Sequence, residues 1–166
     1  MTYNLFRQLP TETDDAVDPI EEFRYLVLAI QREGNKLFAE RLRPLGLTPS
    51  QAEVLRVMSG RDSMTLSELG GLLVCETTAS PSRLVDRLVA AGLVNRELGA
   101  SRRSVSLSLT TLGKETELEV RDAEEQLYAA LAPLLDGDQL DSTVQALRQV
   151  ADAFPAGQAV ARRKAT

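Results

Sequence analysis

Six basic side chains fall between positions 76 and 114: Arg83, Arg87, Arg96, Arg102, Arg103 and Lys114. Only three acids accompany them, Glu76, Asp86 and Glu97, so this segment is net +3 and the rest of a −5 chain carries −8. A guanidinium is a rigid, permanently charged fork that binds phosphate or reads guanine O6 and N7 bidentately. Arg102 and Arg103 stand side by side in "GASRRSVSLSLT", residues 99–110, where serine then alternates with an aliphatic. Adjacent residues on a strand point to opposite faces; at the tip of a hairpin both can reach one ligand. The chemistry in view is anion and base-edge recognition.

Other chemistries are poorly supplied. The chain has no histidine and one cysteine, Cys75. Imidazole acid–base catalysis, the Ser-His-Asp arrangement and the commonest metal ligand are absent with it. No glycine-rich phosphate loop accompanies the lone thiol, so the expectation is a protein that is not an enzyme and holds no metal or cofactor. Aromatics are 4% of residues and tryptophan is missing, which leaves little for the base-stacking platforms of single-strand binders. The duplex backbone is the better match to arginine without aromatic partners.

At 166 residues, with 43% hydrophobic and 26% charged side chains, the composition is that of a globular domain with a real core. No apolar run approaches the ~20 residues of a membrane helix. The opening MTYNLFRQLPTETDD lacks the basic-then-apolar order of a signal peptide. A single cysteine excludes an intrachain disulfide and fits a reducing, cytoplasmic setting.

Residues 1–17 are polar and read as an arm. Asp18-Pro19-Ile20-Glu21 carries a helix start, with a capping carboxylate, proline at the first helical position and Glu21 where a capping box wants it. Phe23, Leu26, Val27, Ile30, Leu37 and Leu42 then recur at helical spacing until Pro44 and Gly46. Thr48-Pro49-Ser50-Gln51 and Thr65-Leu66-Ser67-Glu68 are two capping boxes that open short helices. A fourth helix covers roughly Thr78 to Ala91, with Leu84, Val85, Leu88 and Val89 on its apolar side. The alternative is a shorter helix capped by Ser80 with Pro81 first; the spacing to Arg83 favours the longer one. After Gly92 the period becomes two: Leu93-Val94 leads into Asn95–Leu98, Gly99 marks a turn, and Val105, Leu107 and Leu109 alternate with serines. Thr110 caps a long helix to about Leu131, and a last helix runs from about Asp138 to Phe154. Arg162-Arg163-Lys164 closes the chain as a basic tail, read as disordered, with accessory phosphate contact as the lesser alternative.

Three short capped helices followed by a hairpin is the order of a winged helix-turn-helix, whose recognition helix enters a major groove beside its wing. The fold class expected is mainly α with a small β-hairpin: an arm (1–17), a first dimerisation helix (18–46), a winged module (47–110), C-terminal dimerisation helices (111–154) and the tail (155–166). Long flanking helices cannot bury their apolar faces alone, and a second copy is the natural cover.

Three stretches carry a resemblance. "LTPSQAEVL" (47–55), "SRLVDRLVAAGLVNR" (82–96) and "SRRSVSLSLTTLGKE" (101–115) resemble, in order and spacing, the second helix, the recognition helix with its wing, and the wing return of the MarR family of winged-helix regulators. The resemblance implies an obligate homodimer on a pseudo-palindromic DNA operator. It also implies release of many members by small aromatic or anionic effectors, or by thiol oxidation. The chain departs from the family at Ser101, where an aspartate usually orients the wing arginines.

On this reading Ser80, Ser82 and Arg83 lie at the exposed start of the recognition helix, where base edges are reached. Arg87 is divided between a phosphate contact and an ion pair with Asp86 or a wing acid, and Thr78 is a phosphate contact of lesser weight. Arg102 and Arg103 form the wing tip, with Arg103 at the family's minor-groove position. Narrow A·T grooves attract arginine by their negative potential. The ordinary alternative for each is a solvated helix face or turn. Cys75 precedes the recognition helix, but Glu76 opposes thiolate formation, so an inert thiol is expected and oxidant sensing is the alternative. The function expected is a homodimeric, sequence-specific DNA-binding regulator, a repressor released by an effector. The competing class is a winged helix used for protein association without DNA.

Overall fold

A computed structural model of the chain describes residues 17–74, 80–98, 105–135 and 137–164. The chain divides into two compact units, Met1–Gly34 and Asn35–Thr166. The first helix, α1 (Pro19–Leu42), runs across the division. In the first unit Asp18 caps α1, its Oδ1 accepting the Ile20 N–H at 2.9 Å. Ile20, Phe23, Leu26 and Ile30 are exposed there.

The second unit holds the winged module and the helices C-terminal to it. A 3-10 turn over Arg43–Leu45 leads through Gly46 to α2 (Pro49–Met58). Thr48 caps α2 reciprocally with Gln51, and Thr65 does the same with Glu68 for α3 (Leu66–Gly70), so the capping boxes expected at these two helices form. The Thr65 amide and hydroxyl hold the Glu68 carboxyl below the usual carboxylate range, because both donate to its charged form. After α3 come α4 (Pro81–Ala90), the strands β2 (Val94–Leu98) and β3 (Val105–Leu109), α5 (Thr111–Leu131), α6 (Gly137–Ala151) and α7 (Pro155–Lys164).

The expected two-stranded ribbon is a three-stranded antiparallel sheet of order β1-β3-β2. The extra strand, β1 (Met64–Thr65), pairs Met64 with Leu107 and Thr65 with Ser106. Two residues are too few to display a period of two, so this strand is invisible to patterning. The main pair runs in register from Val94↔Leu109 to Leu98↔Val105. Leu107 is fully buried and the flanking Val105 and Leu109 pack against the core.

Two further expectations are overturned. The fourth helix begins at Pro81, with Ser80 extended (φ −61°, ψ 154°) as its N-cap, and not near Thr78. Proline at the first helical position sacrifices no hydrogen bond, and it forces the preceding residue out of helical geometry. The basic tail, read as disordered, is helical over Pro155–Lys164 and is anchored by its arginines. The tail's helical seat rests on contacts distant in sequence, which local composition does not display.

One core joins the module: Leu42, Leu55, Met58, Leu69, Leu88, Leu107 and Val120 are all nearly or fully buried. The long helix α5 enters this core through Gly113, Glu117, Val120 and Ala123, at spacings of four, three and three. Glu117 is therefore an acid on the apolar stripe. Arg56 of α2 meets it with one guanidinium nitrogen and reaches Glu124 with another at 2.8 Å, while Arg121 adds a contact to Glu117 at 3.1 Å. Burial pushes the Glu117 carboxyl up, but hydrogen bonds from Arg56 and Arg121 outweigh it and hold the group below its usual range. Burial likewise works against the Arg56 charge, and its bond to Glu117 with the field of Glu124 overcomes it, leaving the pKa raised.

The folded state thus binds the Glu117 proton less tightly than the unfolded chain does. Its stabilising contribution is complete above the ordinary glutamate value of 4.5 and is lost as pH falls through the lowered one. Thermal unfolding measured from neutral to acid pH should show a Glu117→Gln protein losing less stability on acidification than wild type. Parallel acid limbs would contradict the network.

Candidate nucleic-acid interface

Helix α4 is built two-sided. Leu84, Val85 and Leu88 turn into the core, each at most 2% exposed, while Arg83, Asp86 and Arg87 lie on the exposed side. Arg83 and Arg87 are one turn apart and so share a face. Asp86 is bonded by Arg96 of β2 at 2.6 Å, a link from the helix to the adjoining sheet. Asp86, one expected partner of Arg87, is held by Arg96, and among the described residues neither Arg83 nor Arg87 forms an ion pair.

Ser80 is exposed and Ser82 is half-buried beside Arg83. The Ser80 hydroxyl makes no capping hydrogen bond. The structure therefore brings Ser80, Ser82, Arg83 and Arg87 together at the first two turns of α4. Cys75 and Thr78 lie outside the described residues, as do Ser101, Arg102 and Arg103. The strands on either side of residues 99–104 pair through to Leu98↔Val105.

The exit from α4 is firmly tied. The Leu93 amide donates to Leu88 O at 2.9 Å, the Thr110 amide donates to Leu93 O at 3.1 Å, and the Thr110 hydroxyl donates to Gly92 O at 2.7 Å. Thr110 also caps α5 by accepting the Gly113 amide. One threonine thus joins the end of α4, the sheet and the long helix α5.

Two groups of residues escaped the sequence reading. Arg96–Asp86 crosses two elements, and only their pairing at ten-residue separation hints at it. Arg56, Glu117 and Glu124 meet beside a cleft of about 550 Å³, which Arg56 and Glu124 line together with Arg61, Arg121, Tyr128 and Arg163. The readable signal was Glu117 standing on an apolar stripe, where an acid needs a partner. Burial, and after it the charge of Glu124, raises the Tyr128 phenol in the same cleft.

A family model described as a winged helix DNA-binding domain matches residues 47–113. No curated protein matches the chain. Among solved structures, a MarR mutant from E. coli complexed with operator DNA is 26% identical, covers 81% of this chain and 99% of its own, and superposes with a TM-score of 0.70. The reduced form of MarR from E. coli is 27% identical over 82% of this chain and 98% of its own, with a TM-score of 0.65. The MepR–DNA complex of S. aureus, at 19% identity, shares the fold: its TM-score is 0.72 over 79% of this chain and 96% of its own. The fold is the one that these DNA-binding regulators share. With α4 presenting its arginines beside the antiparallel sheet, the chain carries a winged helix DNA-binding domain over residues 47–113 and is similar along most of its length to MarR-family transcriptional regulators.

Proposed function

We propose that the protein is a homodimeric, sequence-specific DNA-binding repressor released by a small anionic effector. The observation that carries the DNA-binding part is the presentation of α4: its inner side is locked in the core while Arg83 and Arg87 stand exposed on one face, without ion-pair partners among the described residues. Arg83 is proposed to read a base edge, with Ser80 and Ser82 beside it, and Arg87 to meet phosphate. Arg102 and Arg103 are proposed as wing contacts, and Thr78 as a further phosphate contact. The operator complex recorded for E. coli MarR and the DNA complex recorded for S. aureus MepR support duplex DNA as the partner.

Dimerisation is supported by apolar side chains left uncovered on the long helices. In α1 these are Ile20, Phe23, Leu26 and Ile30; in α6 they are Leu140, Val144, Leu147 and Val150. No described residue of α6 is buried. A second copy would remove these faces from water.

The effector is proposed to enter the cleft between α2 and α5. Its wall carries Arg56, Arg61, Arg121 and Arg163 against one lining acid, Glu124, with Tyr128 as an aromatic surface. An anion there would compete with Glu117 and Glu124 for Arg56, which links α2 to α5. A coupling of ~1–3 kcal/mol to operator affinity is the ordinary range for such a switch.

The DNA-binding reading is tested by band shift on the duplex upstream of the protein's own gene, at physiological salt with excess random competitor. Retention of that duplex supports it, and loss to competitor refutes it. In the same assay Arg103→Ala should weaken binding and lower the salt slope by about one counterion. An unchanged affinity across the salt series would remove Arg103 from the interface.

A further inference from the structure

We propose that the C-terminal helix α7 braces the segment entering the recognition helix, with Arg163 and Glu53 as positioning residues for DNA binding. The inference rests on the DNA-binding reading and adds a part of the chain beyond the matched winged-helix domain, which ends at residue 113.

α7 is seated rather than trailing. A Cβ on Gly157 would lie 2.0 Å from Ala151 O, so the turn between α6 and α7 closes on that glycine, and Ala159 is 2% exposed. From this seat two consecutive arginines reach the C-terminal end of α3. Arg162 donates through Nε and Nη2 to Gly71 O, at 3.2 and 2.8 Å. Arg163 donates through Nε to Leu72 O at 2.6 Å and through Nη2 to the Glu53 carboxylate. The same Glu53 oxygen accepts the Val74 amide at 2.8 Å.

The geometry has a clear physical purpose. α3 is five residues long and Gly71 is its C-cap, so the carbonyls at its end lack helical partners. A helix this short has little stability of its own. Cations at a helix C-terminus satisfy such carbonyls and suit the local dipole. Glu53, 8% exposed on α2, is the fixed point: it holds Val74 from one side and α7 from the other. Val74 is the last described residue before the stretch that leads to Ser80 and α4. Gly71, Leu72 and Val74 are thereby held by two arginines and one carboxylate on the approach to the recognition helix.

The test uses the full chain and two readouts, amide hydrogen exchange at Leu72–Val74 and affinity for a selected duplex. In Arg163→Ala the Val74 amide should exchange faster and duplex affinity should fall roughly tenfold, inside the usual span of couplings between separate sites. The thermal midpoint should fall as well, because the change leaves the buried Glu53 carboxylate without the Arg163 guanidinium, so the rise in exchange at Val74 is read against that of amides in α5 and should exceed it. Arg163→Lys keeps a charge for Glu53 but not the fork to Leu72 O, and should fall between the two. Unchanged Val74 exchange in Arg163→Ala overturns the brace. Faster exchange with unchanged affinity overturns its role in DNA binding. Should wild type retain no duplex, the DNA-binding reading falls, while the exchange measurement still decides the brace.

Discussion

Replacing Gly113 by alanine is expected to destabilise the fold by about 3 kcal/mol or more, at the upper end of overpacking effects. The new Cβ would lie 2.0 Å from Leu93 O and 2.9 Å from Leu93 C. Neither is the free end of a side chain. Leu93 O already accepts the Thr110 amide, and the Leu93 amide is bonded to Leu88 O, so the strand entry cannot retreat without releasing the end of α4. Helix α5 would have to lift instead, and Glu117, Val120 and Ala123 enter the core behind Gly113 on the same stripe. Thermal or denaturant unfolding of Gly113→Ala reads the effect directly. A midpoint equal to wild type would mean that α5 does not cross Leu93 this closely.

Arg83→Ala is expected to cost ~1–3 kcal/mol of operator affinity, the value of one bidentate base contact, and to relax specificity at the base it reads. The fold should be indifferent to the change, because Arg83 is exposed and forms no ion pair among the described residues. Leu84, Val85 and Leu88 continue to hold α4 in place. The two variants therefore separate: Gly113→Ala acts on stability, and Arg83→Ala on DNA alone. Band shifts on the operator and on single-base variants of it check the second. Equal affinity and an unchanged base preference would take Arg83 out of the recognition surface.

Legibility in the sequence tracked the range of the interactions. Capping at Asp18, Thr48, Thr65 and Thr110 was readable because each cap and its partner lie within four residues. The alternation at Val105, Leu107 and Leu109 was readable because one face of β3 meets the core. The start of α4 was misread where two local rules competed: family-like spacing to Arg83 favoured a longer helix, and the preference of proline for the first helical position won. Strand β1 was too short to carry a period. Longest in range were the ion pairs, Arg56 with Glu117 and Glu124, and Arg163 with Glu53, which join positions more than sixty residues apart. No spacing rule connects such positions, although a glutamate on an apolar stripe announced that α5 needed a cation. In the candidate site, the face carrying Ser82, Arg83 and Arg87 was legible from the helical period, whereas the tie of Asp86 to Arg96 depended on how the sheet folds back.

Whether a symmetric dimer reads DNA through α4 is decided by selecting duplexes from a random pool with the 166-residue protein. The expected result is an enriched inverted repeat whose half-sites are about 10 bp apart or a multiple of that, matching two recognition helices related by a two-fold axis. Enrichment of an unpaired half-site, or of no sequence above the starting pool, would contradict it.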